Sequence, residues 1–214
     1  MEATYLAGLL GATALGVTVG LGISSQPAQE TQDAQSETAR GTQEAGADEI
    51  DPMMAAMMRA GAINENHEML TTMIGEFDVK TTFVHDGETE SNTGNWVANW
   101  SMGGRFVEGT FTMEWEGKPF EGRQIIGYSN LDQAFKAIWF DNSTTNLSYS
   151  AGFASEDAQR ITFLGSDPDV MTGEIQENEA VLEFTDENNF SYTNYLVNDG
   201  QRGEMNMKIE YTRR

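Results

Sequence analysis

Residues 101–141 read SMGGRFVEGTFTMEWEGKPFEGRQIIGYSNLDQAFKAIWFD. After the Gly103-Gly104 turn the residues alternate. Val107, Gly109, Phe111, Met113 and Trp115 fall on one side; Glu108, Thr110, Thr112 and Glu114 fall on the other. A period of two with one apolar and one polar side is the signature of a strand with a buried and a wet face. A turn at Gly117-Lys118-Pro119 leads to a second strand ending near Tyr128. A turn at Asn130-Leu131-Asp132 leads to a third, through Trp139. Strands joined by such short connections form an antiparallel meander.

Moving outward, the same pattern repeats. Phe77, Val79, Thr81 and Phe83 alternate, and His85-Asp86-Gly87-Glu88 is a turn. Trp96, Ala98 and Trp100 alternate next. Beyond the meander, Leu147, Tyr149, Ala151 and Phe153 alternate against Asn146, Ser148, Ser150 and Gly152, which predicts the first set on the inner face. Ile161 and Phe163 mark a short strand. Asp167-Pro168-Asp169 and Thr172-Gly173 carry turn chemistry. Ala180 to Phe184, Phe190 to Val197 and Met205 to Tyr211 complete the set. About ten strands at even spacing predict an all-β fold, a single antiparallel up-and-down barrel of about 8–10 strands. Closure removes exposed sheet edges. All four Trp, all eleven Phe and five of six Tyr lie at or after Phe77, so the rings either fill the interior or surround a small cavity.

Before the barrel, Asp51-Pro52 is an N-cap followed by proline at the first helical position. Met53, Met54, Met57 and Met58 follow at helical spacing, read as the face by which a helix lies on its own domain. A second short helix from about Glu65 places Met69, Leu70, Met73 and Ile74 on one side and stops at Gly75.

Residues Leu6–Ile23 are apolar or small and uncharged, 18 in all. They suit a signal peptide or an N-terminal membrane anchor. Gly8, Ala12, Gly16 and Gly20 would line one face of an anchor helix. Gly22, Ser24 and Ala28 offer cleavage sites for a signal peptide. Residues 25–51 lack aromatic residues and are expected to be a disordered acidic linker, and residues 52–214 the barrel domain. Either fate of residues 1–24 predicts an exported protein, periplasmic or secreted, touching a membrane only through that segment.

The chain has 12 basic and 34 acidic residues, a formal charge of −22. Nucleic acid and anionic membrane surfaces carry the same sign and are poor partners. With no cysteine, disulfides, thiolate nucleophiles and an acyl-cysteine anchor are excluded. No phosphate loop, dinucleotide fingerprint or nucleophile elbow is present.

The residues from about Asn64 onward resemble the bacterial family catalogued as "domain of unknown function 1579". The resemblance runs through His67-Glu68 and Leu70 to Gly75-Glu76-Phe77, then Gly103-Gly104-Arg105-Phe106 and Pro119-Phe120-Glu121-Gly122. It continues through Gly127-Tyr128-Ser129-Asn130, Trp139 with Asp141, Asp167-Pro168 with Met171-Thr172-Gly173, and Glu210-Tyr211-Thr212-Arg213. It implies a lipocalin-like (calycin) barrel with no agreed activity. In lipocalins a Trp follows the opening glycine and an Arg near the last strand packs over it. Here Phe77 takes the place of that Trp, and Arg213 would lie across it and close one end of the barrel.

Site candidates are few. His67 reads as a cap or surface residue and His85 as a turn residue; neither predicts haem or a metal. Asp141 reads as a turn cap. Asp167 and Asp169 lack the ligand spacing of a calcium loop. Arg105 is a rim arginine, satisfied for instance by Glu121, or an anchor for a ligand carboxylate. The expected function is binding of a small apolar or amphipathic molecule, with Trp96, Arg105, Phe111, Tyr128, Trp139 and Tyr149 around it. No catalytic residue, metal or cofactor is expected. An enzyme acting on a small molecule in the barrel, using Asp141 or Arg105, and a fully packed docking module are the alternatives.

Overall fold

A computed structural model describes residues 50–85 and 87–214. The expected leader and nearly all of the linker lie outside the described residues. Ten antiparallel strands close into one up-and-down barrel, in which β1 (Gly75–His85) pairs with both β2 (Glu88–Ser101) and β10 (Gln201–Arg213). The strands between are β3 (Phe106–Trp115), β4 (Lys118–Ser129), β5 (Ala134–Asp141), β6 (Ser148–Ala154), β7 (Arg160–Pro168), β8 (Ile175–Phe184) and β9 (Asn189–Asn198).

The opening meander forms β3 to β5, with Val107, Gly109, Phe111 and Met113 buried. Its first turn is tighter than the sequence suggested. Glu116 and Gly117 both take positive φ, 49° and 73°, and β4 already starts at Lys118. Two consecutive left-handed residues twist a two-residue hairpin to match its strands.

Three features precede β1. Helix α1 (Pro52–Ala60) is capped by Asp51, whose Oδ1 accepts from the Met53 amide at 2.7 Å. Helix α2 (Glu65–Glu68) runs into a 3-10 turn (Met69–Met73) that carries Leu70 and Met73 into the core. Asn130, in the β4–β5 turn, staples them down: its Nδ2 donates to the Ala62 carbonyl at 2.7 Å and its Oδ1 accepts from Asn64 at 2.8 Å.

Several sequence expectations are corrected. The methionine stripe of α1 does not lie on the domain: Met53, Met54, Met57 and Met58 are all exposed, and α1 buries no residue. The stretch from Glu88 to Gly94 belongs to β2, a polar extension that continues the pairing with β1. Asp167 and Pro168 are not in a turn but end β7, opposite Gln176 and Ile175. Strand β6 sits inside out. Ser148 and Gly152 are buried, whereas Leu147 and Phe153 are 61% and 62% exposed. The reason is space: a Cβ on Gly152 would lie 2.8 Å from the Phe163 ring, so the interior there admits only small residues.

Candidate functional site

The barrel interior divides into two ends. At the end where the chain enters, the 3-10 turn plugs the opening. Trp96 Nε1 donates to the Met73 carbonyl at 3.1 Å, and its ring meets Tyr211 edge-on. Phe190 stacks on Tyr211 at 4.1 Å and meets Phe77 edge-on. Arg213 lies 4.5 Å from the Phe77 ring centre, as the family resemblance implied. Its guanidinium donates to the carbonyls of Ile74 (2.6 Å), Thr72 (2.9 Å) and Glu187 (3.0 Å). One side chain thus ties the last strand to the segment before β1 and to the β8–β9 turn.

Above this plug the packing opens. A cavity with about 50 Å³ accessible to a water molecule's centre runs along the inner faces of β4 to β10. Ile126, Phe163, Leu182 and Ile209 supply apolar wall; Gln124, Ser148, Ser150 and Tyr192 supply polar atoms. The inner faces can hold this space because glycines make room for rings. A Cβ on Gly109 would fall 1.9 Å from the Trp96 ring, and one on Gly122 2.1 Å from the Trp139 ring. Each indole therefore sits against the glycine of a neighbouring strand. Trp139 is also held by its Nε1, which donates to Asp141 Oδ2 at 2.9 Å.

Trp139 and Ser148 border a second, outer pocket of about 320 Å³ at the end opposite the plug, lined also by Asn146 and Asp167. Asp167 is 5% exposed. Its Oδ1 accepts from Asn146 Nδ2 at 2.7 Å and from Ser148 Oγ at 3.1 Å, while Oδ2 has no partner. Burial pushes this carboxyl above the usual carboxylate range, against the pull of its two donors. Burial, and then the charge of Asp167, push the Tyr192 phenol up as well, so it stays neutral.

The six expected site residues do not share one pocket. Trp139 lines both the cavity and the outer pocket. Trp96 and Phe111 are packed into the core. Tyr128 and Arg105 border a separate pocket of about 190 Å³ beside α1. There Tyr128 meets the His67 ring edge-on. Arg105 is exposed and donates to the Met102 carbonyl; Glu121 pairs with Arg123 instead. Tyr149 lies on the outside, its ring 5.7 Å from Lys136 Nζ, because β6 is reversed. His67 is buried and completes the capping box with Asn64. Burial, and then Arg105, lower its pKa. Asp141 caps a turn as expected, its Oδ1 accepting from the Ser143 amide and hydroxyl. Ser148 and Ser150 were not among the expected residues, and Asp167 was weighed only as a turn residue and calcium ligand; the polar side of β6 and an acid at the end of β7 were the signals for them.

The sequence profile of the family described as "Protein of unknown function (DUF1579)" matches residues 63–213. The chain belongs to this family. No curated protein matches it. Among solved structures it is similar to a redesigned beta barrel at 11% identity and a TM-score of 0.38, covering 72% of this chain and 98% of the other.

Proposed function

We propose that this barrel binds a small amphipathic molecule, with its apolar part inside the barrel and its polar part toward the open end. The observation that carries the reading is the cavity, walled by Ile126, Phe163 and Leu182 on one side and by Ser148 and Ser150 on another. Ligand sites are typically apolar hollows with a few polar groups that fix orientation. A single water needs ~10–15 Å³ of such space, so the cavity has room for a few waters or for a small ligand group in their place. The apolar stretch Leu6–Ile23 supports binding outside the cytoplasm.

Native mass spectrometry of the protein purified from its source tests this reading: a small companion molecule is expected. Benzyl alcohol is a suitable probe in solution. Its binding, followed by tryptophan fluorescence, should be lost in Ser150→Leu, which fills the cavity. Unchanged binding in that variant would place the probe elsewhere.

A second reading, catalysis on the bound molecule, is favoured by one observation, the buried Asp167 carboxyl. A carboxyl whose pKa is raised by burial suits proton transfer. Chemical conversion of a co-purified ligand that stops in Asp167→Asn, with binding retained, would establish it.

A further inference from the structure

We infer that the outer pocket recognises a small organic cation, an ammonium group attached to an apolar body, with the buried carboxylate of Asp167 as its counter-charge. The inference rests on the binding reading above and names the class of ligand. Three carboxylates, Asp141, Asp167 and Asp169, line the pocket, and among the described residues lining it none is basic. Two of the three are already engaged. Asp141 uses both oxygens, on the Ser143 turn and on Trp139. Asp169 Oδ1 accepts from the Met171 and Thr172 amides and the Thr172 hydroxyl, closing its own turn.

Asp167 differs. It is nine-tenths buried on the inner face of β7, and one oxygen has no donor. An ionised carboxylate in that position is unfavourable unless a positive charge approaches it. No group of three or more potential ligands among the described residues is placed to hold a metal ion, which favours an organic cation. A cation held in the pocket that Asp167 lines, within the ~4–6 Å over which opposite charges act, would stabilise its charged form. Trp139 and Ser148 line both spaces, so an apolar body attached to that cation would point into the cavity. The indole of Trp139 adds a ring beside the charge.

Isothermal titration of the full chain with benzylamine, benzyl alcohol and benzoate tests the inference. Benzylamine should bind at least tenfold more tightly than the alcohol, and benzoate more weakly than either. Asp167→Asn should erase the preference for the amine and leave the alcohol within about twofold. Val170→Lys, at an exposed rim position, should weaken benzylamine at least fivefold without affecting the alcohol, and serves if Asp167→Asn does not fold. Equal binding of amine and alcohol, or a preference that survives both substitutions, overturns the cation and leaves the binding reading standing. Failure of all three probes, with no companion found by mass spectrometry, overturns both.

Discussion

The two ends of the barrel are built from the same alternating strands and reach opposite solutions. At the plugged end, Trp96, Phe77, Phe190 and Tyr211 fill the interior, and Trp96 and Arg213 satisfy backbone carbonyls. At the open end, Ser148, Asn178, Asn194 and Asp167 are buried instead, Trp139 is only half-buried, and space remains. The first end gains from area removed from water; the second sacrifices part of that gain for unfilled room and a buried acid. Stability should therefore reside at the plug and binding at the mouth.

The sharpest way to break this contrast is to make one substitution at both ends. Gly109→Ala and Gly122→Ala each drive a methyl into an indole. Trp96 is 1% exposed and has nowhere to go, so Gly109→Ala should cost about 3 kcal/mol by denaturant unfolding, the upper range for overpacking. Trp139 borders the cavity and can tip into it, so Gly122→Ala should cost about 1 kcal/mol. Equal costs would refute the division. Arg213→Met removes the charged donor of three carbonyls and should lower stability by about 2–3 kcal/mol. Probe binding at the far end should be unchanged.

Smaller effects separate the ends by pH. Asp167 has its folded pKa raised above the ordinary 3.8. Above that value the unfolded chain releases the proton first, so the wild type should lose stability as pH rises toward the folded pKa. Asp167→Asn should be the more stable protein at neutral pH, with the difference vanishing at acid pH; thermal melts across pH would show it. His67 has the opposite sign. Its folded pKa lies below 6.5, so stability should rise with pH up to about that value. His67→Gln, which keeps an acceptor at the capping position, should flatten that slope. Least of all, Met57→Gln with Met58→Gln should leave the melting temperature within a degree or so, since both are exposed.

What was legible in the sequence follows the same division. The meander and the closed barrel could be read because the plug is dry, and a dry interior obliges apolar residues to alternate inward; the Arg213–Phe77 contact was legible only through the family resemblance. The mouth obeys no such rule. Strand β6 turns Phe153 outward, and Leu147 just before it is exposed too, because only small side chains such as Gly152 fit beside Phe163 on the inner face. Asp-Pro-Asp looks like a turn, yet its first residue completes an inner face. Glu88 to Gly94 shows no alternation because both of its faces are largely exposed. Alternation alone therefore did not point to the cavity, and of the expected residues only Trp139 lines it and the outer pocket.

The pairing of β1 with β10 also governs the order in which the molecule can be made. Phe77 must wait for Arg213, its partner across the closing seam, until β2 to β9 have all been made. A chain halted after β9 is a curved sheet with two bare margins, each able to recruit a neighbour's strand. The seam joins positions far apart in sequence, so closure is slow for entropic reasons and falls late in folding.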